Sequence, residues 1–404
     1  MKVWGLHLPS LAGWLVFAAL LGLLPALADS RFALSLLSQA GIACILCLSY
    51  WLLMGQGGML SFGHAVYSGA GAFMAIYTLR WVEAGVVASF PVALIPLLGG
   101  LAAALLALPF GWLATRHSPT VFAMVTLGLG ELAWATALMF PAVFGGESGL
   151  SADRSAGPAL AGLSWGPPVQ MYGLIAAYAW VAALAIYGFT RSPPGRLLNA
   201  VRDNPERVAF MGHDPRRVRL LAFEVAAFFA GVAGGLSALL LEIVTTEVLS
   251  SQRSAAVLVF TYLGGVAYFL GPLLGGLLMV GGQVLLSAWT PGWLLYLGLI
   301  FLAMVMASPG GVAAWLLAAP RRSSSPLFLR CVGVAAATMA LAGVASLIEM
   351  AYQLRLADAL GPELRFLGLT LHAHDASHWL GAGALTLLGS GLWWRIRHAS
   401  GARA

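Results

Sequence analysis

Runs of apolar residues, each about as long as a membrane is thick, follow one another along almost the whole chain. A helix needs about 20 residues to cross the hydrocarbon core of a bilayer. Proline, glycine and charged residues delimit twelve such segments, at 11–28, 32–54, 59–79, 91–114, 118–140, 169–190, 220–241, 254–270, 273–288, 293–307, 327–348 and 378–394. The residues are 60% hydrophobic and 9% charged, whereas soluble domains are roughly 25% charged. The sequence therefore predicts an all-α polytopic membrane protein with about 10–12 transmembrane helices and excludes a water-soluble fold.

Three of these segments, between residues 254 and 307, are short for a complete crossing. Glycine and proline interrupt them, at Gly264, Gly265, Gly271 and Pro272. Such interruptions at membrane depth are typical of helices that break or turn back, so we expect broken or re-entrant segments here. The first segment, 11–28, is expected to act as a signal anchor, because the next segment begins almost at once at Phe32.

The segment from 191 to 219 determines the expected orientation. It contains seven arginines and three acidic residues, a net charge of 7 − 3 = +4. Loops rich in positive charge stay in the cytoplasm. With twelve spans, the same side also receives Lys2, Arg116, Arg321, Arg322, Arg330, Arg395 and Arg397. Four acidic residues are then expected outside, namely Glu147, Asp153, Glu242 and Glu247.

Residues 195–214 within this segment have too regular a pattern for a linker. Apolar side chains form a stripe among the arginines, at Leu197, Leu198, Val201, Val208 and Phe210. Asn204 and Pro205 are suited to end one short helix and begin another. Two interpretations stay open at this point. The element either docks into a groove of a soluble partner or lies on anionic lipid headgroups.

Five glycine-rich motifs, in order along the chain, resemble those of the LivM-type permeases, the membrane subunits of branched-chain amino acid ABC transporters. Residues 195–214 resemble the cytoplasmic coupling loop of that family. Residues 55–71 contain G-Q-G-G-M-L-S-F-G-H-A followed by Gly69 and Gly71, similar to the family pattern G-x-x-x-x-L-S-x-G-H-A-x-x-x-G-x-G. The other matches are G-G-E-S-G-L at 145–150, the glycine cluster at 263–275 and S-P-G-G at 308–311.

The resemblance implies a domain organisation and a set of partners. Residues 1–315 would form the permease domain, with its coupling loop at 191–219, and residues 326–404 a C-terminal extension with two further transmembrane helices. In such systems the coupling loop meets separate ATP-binding subunits, a second, LivH-like permease completes the pore, and a periplasmic solute-binding protein delivers the solute. The expected location is the bacterial cell inner membrane, in contact with the lipid bilayer, and no nucleic-acid partner is expected.

ATP hydrolysis is expected to take place in another chain. A Walker A loop, G-x-x-x-x-G-K-[ST], requires a lysine within the motif, and Lys2 is the only lysine of this sequence. We therefore expect no cofactor and no enzymatic activity, with ATP bound by the partner subunit. The resemblance assigns ATPase coupling to Gly195, Arg196, Ala200, Arg202, Asp203, Glu206, Arg207 and Gly212.

Polar and small residues inside the predicted spans are candidates for the translocation path. They are Ser61, Gly63, His64, Gly69, Gly71 and Glu131. The glycines favour close helix packing over solute contact, whereas His64 fits either role. A charge within a span costs roughly 2.5–3.5 kcal/mol on insertion scales, so Glu131 at mid-span needs a partner or water. Glu224 is expected to pair with Arg217 or Arg219 at the cytoplasmic end.

Two segments expected outside the membrane carry the remaining candidates. The loop 145–157 is expected to receive the binding protein, at Gly145, Gly146, Ser148 and Gly149. It also contains the G-x-S-G of rhomboid proteases, but Ser148 lies outside the spans, where that chemistry lacks its histidine base. Later, His372, His374 and His378 include a zinc-like spacing of four. A polar turn before the last span is the favoured interpretation, so no metal is predicted.

These observations predict a permease subunit of an ABC importer for branched-chain amino acids or related small polar solutes, driven by a separate ATPase subunit. The alternative is an ion-coupled secondary transporter of small polar solutes, which predicts paired intramembrane charges and uptake without ATP. Leucine-type amino acids, urea and short amides all agree with the resemblance, and no residue chooses among them.

Overall fold

Helices make up nearly all of the described chain. The computed structural model describes residues 11–27, 30–87, 90–157, 164–290, 292–307, 310–317, 338–352, 354, 364–366, 369–371 and 375–401. The helices are α1 (Leu11–Leu23), α2 (Arg31–Trp51), α3 (His64–Glu83), α4 (Ile95–Ala114), α5 (Pro119–Met139), α6 (Pro141–Phe144), α7 (Pro168–Arg191), α8 (Pro193–Asp203), α9 (Pro205–Phe210), α10 (Pro215–Leu241), α11 (Ser251–Gly264), α12 (Leu270–Val280), α13 (Ser287–Trp289), α14 (Trp293–Ala307), α15 (Gly311–Leu317), α16 (Thr338–Tyr352) and α17 (Ala376–Gly401). Two short antiparallel pairs join β1 (Leu150–Ser151) to β2 (Ile243–Val244) and β3 (Leu364–Phe366) to β4 (Leu369–Leu371).

The prediction of an all-α polytopic membrane protein is confirmed, and each of the twelve predicted spans overlaps a described helix. Five described segments are long and apolar enough to cross a membrane alone: Arg31–Gln56, Val92–Ala114, Pro119–Met139, Pro168–Arg191 and Pro215–Leu241. The bent pair α14 and α15 would make a sixth. Five or six membrane-crossing segments are fewer than the about 10–12 predicted. The helices α1, α11 and α12 are only 13, 14 and 11 residues long, and α3 is less apolar than the five segments named.

The described residues divide into two compact units, one made of 11–281 with 301–317 and the other of 282–300 with 338–401. In the first unit, α3, α4 and α10 meet backbone to backbone. A Cβ added to Gly71 would overlap the carbonyl of Gly231, and one added to Gly234 would overlap that of Ser68. A Cβ on Gly99 would lie 2.8 Å from the carbonyl oxygen of Gly71. Small residues permit this close approach, which drives helix association in lipid.

The predicted break in the chain after α11 lies at Gly265. This residue has φ 118°, a conformation that favours glycine, and it ends α11. The helix α12 then packs back against α11, with Gly264 in contact with the backbone of Gly275. The indole of Trp51 donates a hydrogen bond of 2.7 Å to the carbonyl of Val266 in the turn. The short lengths of α11 and α12 agree with the expected broken segments.

The end of α10 is tied to the loop after β1 by the guanidinium of Arg154. It donates hydrogen bonds of 2.9–3.1 Å to the carbonyls of Leu239, Leu240, Trp165 and Gly166, and lies 3.6 Å from the carboxylate of Glu242. Carbonyls in the last turn of a helix have no partner within the helix and carry a partial negative charge. Arg154 therefore caps α10 and holds the loop in place.

The second unit carries a buried carboxylate that the sequence did not single out. Glu349 of α16 is 3% exposed and accepts hydrogen bonds from the hydroxyls of Tyr296, at 3.0 Å, and Thr290. Gly343 brings α16 close to α17, since a Cβ there would lie 2.7 Å from the backbone nitrogen of Thr386. These contacts link α16 to α17, to α14 and to the segment that precedes α14.

Replacing Gly234 with alanine is expected to destabilise the protein. The added Cβ would overlap the backbone of α3, and overpacking of this kind costs about 1–3 kcal/mol. The measurement is the thermal unfolding midpoint of the full-length chain in detergent. Gly188→Ala in α7, where a Cβ meets nothing within 4 Å, is the matched control and is expected to leave the midpoint unchanged or raised. Equal midpoints for the two variants would contradict the packing described.

Replacing Arg154 with glutamine is expected to lower the free energy of unfolding by about 2–3 kcal/mol, because charge-assisted hydrogen bonds to helix carbonyls are lost. Denaturant titration in detergent measures it. Arg217→Gln is the control, since its side chain is 89% exposed and pairs only with Asp214 one turn away. A loss as small as that of the control would show that Arg154 does not hold the loop.

Candidate functional site

The segment between α7 and α10 folds into two short helices, as the sequence predicts. A proline is the first residue of α8, α9 and α10, at Pro193, Pro205 and Pro215. At this position a backbone N–H would have no partner within the helix, so its absence costs nothing. The side chain of Asn204 accepts a hydrogen bond of 2.9 Å from the Arg207 amide and caps α9, as N-cap residues do. We call α8 and α9, with the turn to Gly212, the coupling platform.

The buried side of the coupling platform is attached to the end of α2. Leu198, Val201 and Val208 are buried, and Gly195 contacts the backbone of α7. The amide of Asn199 donates a hydrogen bond of 2.8 Å to Gln56 Oε1, and the guanidinium of Arg202 donates to the carbonyl of Gly55. The G-Q-G-G motif at 55–58 therefore binds the buried side of the coupling platform.

The outer side of the coupling platform is exposed. Its exposed members include Arg196, Ala200, Asp203, Glu206, Arg207 and Gly212. The predicted apolar stripe is divided, because three of its residues pack inward whereas Phe210 is 92% exposed, beside Met211 at 67%. The side chain of Arg202 is 45% exposed and lies 3.5 Å from Asp203. It also donates a hydrogen bond to the carbonyl of Gly55, just after α2. An aromatic residue exposed among arginines is typical of a protein contact.

Three of the predicted path residues, Ser61, Gly63 and His64, lie at the start of α3. His64 and Ser61 are fully buried, and the hydroxyl of Ser49 lies 2.9 Å from His64 Nε2. Ser49 donates its own proton to the carbonyl of Leu46, which assigns the donor role to His64 Nε2. Among the described residues, His64 Nδ1 and Ser61 Oγ are then buried polar atoms without a hydrogen-bond partner. Such atoms are usually satisfied by an internal water molecule.

The three glycines predicted as path or packing residues, Gly63, Gly69 and Gly71, lie in close helix contacts. A Cβ on Gly63 would overlap the carbonyl of Thr126 in α5, and one on Gly69 would overlap the side chain of Leu249. Gly71 meets α10 as described above. The preference for packing at these glycines agrees with these contacts, and none of the three presents open backbone to a cavity.

Glu131 and Glu224 are both half-buried carboxylates. Glu131 lies on α5, apart from the His64 cluster, and no hydrogen bond or ion pair joins it to the described part of the chain. The pairing expected for Glu224 is not formed: Arg217 lies 3.6 Å from Asp214, and Arg219 donates to the carbonyl of His117 at 3.4 Å. Glu224 keeps one buried oxygen without a partner among the described residues, since both arginines bind other groups.

The exterior loop is a tight turn fixed to the strand after α10. Gly145, Gly146 and Gly149 have φ of 77°, 61° and 72°, which side chains disfavour. A Cβ on Gly149 would lie 2.6 Å from the carbonyl of Val244, the residue that pairs with Leu150 across β1 and β2. The exposed Ser148 donates its hydroxyl to Gly145 within the turn, so it has the environment of a turn residue.

Two of the carboxylates predicted outside, Asp153 and Glu242, lie beside this loop together with Glu83. Glu83 at the end of α3 accepts a hydrogen bond from the amide of Asp153, and Glu242 accepts one of 3.3 Å from Arg154. Hydrogen bonds from Ser155 lower the pKa of the Asp153 carboxyl below its usual value. Of the predicted histidine cluster, His372 and His374 lie outside the described residues, and His378 lies 3.9 Å from Asp375.

Two functional candidates were missed by the sequence analysis. Arg154 falls in a predicted exterior loop, where a single arginine carries no signal. Arg253 stands one residue before the predicted span that starts at Ser254, and was counted with neither the loop nor the span. In the structure its Nε is buried without an acceptor. A charged residue at the boundary of a span was the signal that could have identified it.

Comparison with known proteins agrees with this arrangement. The family model described as "Branched-chain amino acid transport system / permease component" matches residues 32–309. The high-affinity branched-chain amino acid transport system permease protein LivM of Escherichia coli (strain K12) is 27% identical over 306 residues, 70% of either chain. The protein of the same name from Salmonella typhimurium (strain LT2) is 26% identical over 306 residues, again 70% of either chain. No solved structure matches the chain.

The family match contains the coupling platform, the first turn of α3, Glu131 and the exterior loop, and ends before α15. The described helices in the matched region include all five that are long and apolar enough to cross a membrane. This chain belongs to the permease component family of branched-chain amino acid transport systems and is a multi-pass membrane protein.

Proposed function

We propose that this chain is the membrane-spanning subunit of an ABC importer in the bacterial inner membrane, for branched-chain amino acids or related small polar solutes. Separate ATP-binding subunits would supply the energy at the coupling platform, and a second permease would complete the pore. A periplasmic binding protein would deliver the solute at the loop 145–157. The branched-chain amino acid assignment rests on the family and on the two LivM relatives.

The observation that carries this proposal is the exposed outer side of the coupling platform. A helix pair held on lipid by its apolar stripe would keep that stripe exposed, whereas Leu198, Val201 and Val208 are used inside this chain. What remains outside is a single aromatic anchor, Phe210, surrounded by arginines and two acidic residues. This combination fits a groove on a soluble protein with an acidic rim better than a membrane surface, which requires a broad apolar face.

The exterior loop supports delivery of the solute by a protein partner. Its glycines hold Glu147 and Ser148 at the tip of a turn, both exposed. The turn is joined to α10 through β2 and through Arg154, so a partner that binds the tip contacts a fixed surface. The two proposed contact surfaces thus lie at opposite ends of α10, one before Pro215 and the other after Leu241.

Phe210→Asp and Arg207→Glu are each expected to weaken co-purification of the ATP-binding subunits more than about tenfold, as loss of a central interface anchor does. Membrane insertion should be unchanged, because both side chains are exposed. Arg116→Glu is the control: it is an exposed arginine on the same predicted side, stacked on Trp112 at 3.2 Å, and lies outside the platform. Arg202 is unsuitable for this test, since its loss also breaks the bond to α2. Normal co-purification of both variants would exclude the platform as the ATPase contact.

Uptake by the assembled transporter is expected to require ATP and the binding protein. Radiolabelled leucine would be offered to vesicles that contain this chain, its partner permease and the ATP-binding subunits. Uptake should stop when ATP is omitted or when the catalytic glutamate of the ATPase is replaced. Vesicles with this chain alone and an imposed proton or sodium gradient are the comparison. Uptake in those vesicles would establish the ion-coupled alternative instead.

A further inference from the structure

Three charged side chains in or next to the predicted spans have no partner in the described part of the chain, namely Glu131 of α5, Glu224 of α10 and Arg253 of α11. Each of these residues is partly buried. Glu131 and Arg253 carry opposite charges on neighbouring helices. No hydrogen bond or ion pair joins either side chain to a described residue, and Nε of Arg253 is buried without an acceptor. The charge of Glu247 acts on the arginine from beyond ion-pair distance. An unpaired charge within a membrane domain is costly and marks a site where a ligand, water or partner is expected.

Both helices that carry these charges are hydrogen-bonded to the same short segment at the start of α3. The amide of Phe62 donates to Thr126 Oγ1 at 3.2 Å, and Glu131 lies five residues further along α5. The amide of Ala65 donates to Ser254 Oγ at 3.0 Å, and Arg253 is the residue before Ser254. Residues 62–65 therefore lie between the parts of α5 and α11 that carry the two charges.

The helices that carry these charges adjoin one another. Both α5 and α11 pack against α3, and α5 contacts α11 and the turn at Thr246–Leu249 that leads into it. Polar side chains are exposed along this junction, at Glu247 and Gln252. Exposed polar side chains are expected beside water and are disfavoured beside lipid. The junction of α5 and α11 thus has the character of a wall of an aqueous path.

The face of α5 that is free of its own chain is large. Of its span only 22% is buried, against 61% for α10. Gly128, one turn before Glu131, has open space around it, since a Cβ there would meet nothing within 4 Å. The described part of the chain therefore leaves this face of α5, next to the carboxylate, uncovered.

We propose that Glu131 and Arg253 bind the two charged ends of a zwitterionic amino acid as it passes through the membrane. The carboxylate would accept hydrogen bonds from the ammonium group, and the guanidinium would donate to the solute carboxylate in the bidentate geometry that arginine favours. The first turn of α11, which carries the arginine, adds positive potential. This inference rests on the proposed transport function and restricts its solutes to amino acids. Urea and simple amides lack both charges and would leave both protein groups unpaired.

Transport by charge-neutral variants tests the site in the complete transporter with its ATPase, second permease and binding protein. Glu131→Gln and Arg253→Gln are each expected to reduce the initial rate of ATP-driven leucine uptake by about tenfold or more, because each removes a charge-assisted hydrogen bond to the solute. Arg253→Lys keeps the charge and should recover part of the rate. Glu224→Gln, a carboxylate on α10, is the matched control and should transport at nearly the rate of the unaltered protein. Full activity of both glutamine variants would overturn the proposal.

Thiol accessibility separates this inference from the proposed function. Glu131→Cys and Arg253→Cys would be made in a full-length chain whose own three cysteines are replaced by alanine, and treated in the assembled transporter with a charged, water-soluble thiol reagent. Both positions should react, and leucine with the binding protein should slow the reaction. Leu105→Cys on α4, exposed on an apolar helix face, should not react. No reaction at either charged position would show that protein or lipid covers the face, and would overturn the site even if leucine is transported. If the unaltered transporter moves no amino acid, the proposed function fails, and the zwitterion assignment with it.

Discussion

Backbone contact among α3, α4 and α10 is the constraint on which the rest of the structure depends. Apolar side chains gain little by leaving lipid for protein, so membrane helices associate through close packing and hydrogen bonds. Gly71, Gly99 and Gly231 let the three backbones meet with no side chain between them. The helix α3, held in this way against α4 and α10, begins at His64 and ends at Glu83. The coupling platform and the exterior loop are attached near those two ends.

The same packing explains why Glu131 can lie on α5. The three central helices fill their own contacts, and α10 has the largest buried share of the five membrane-crossing segments, whereas α5 has the smallest. A carboxylate in the central contact would have to displace a glycine and break the backbone approach. On α5, Glu131 occupies a face that the chain leaves open, at little cost in packing. The structure thus separates residues that hold the helices together from residues available to a solute.

The sequence predicts the helical architecture well because membrane burial imposes long apolar runs and because proline and asparagine mark the starts of α8 and α9. The direction in which a side chain points is not predicted by such patterns. The apolar stripe of 197–210 could be recognised, but only tertiary packing decides that Val208 faces inward and Phe210 outward. The pairing of Glu224 failed for a similar reason: charge and spacing allowed it, while Asp214 and the His117 carbonyl were nearer partners for the arginines. Arg154 acts through four carbonyls that are distant in the sequence, and no pattern reveals them.

The connection between the coupling platform and the path is short, and this gives the proposed energy transfer a physical route. Asn199 and Arg202 hold α8 to Gln56 and Gly55 at the end of α2. Only seven residues, 57–63, separate Gln56 from the first turn of α3. Phe62 and Gly63 contact α5, and Ala65 contacts α11. A displacement of α8 by a bound ATPase would therefore reach, through one short segment, the two helices that carry Glu131 and Arg253.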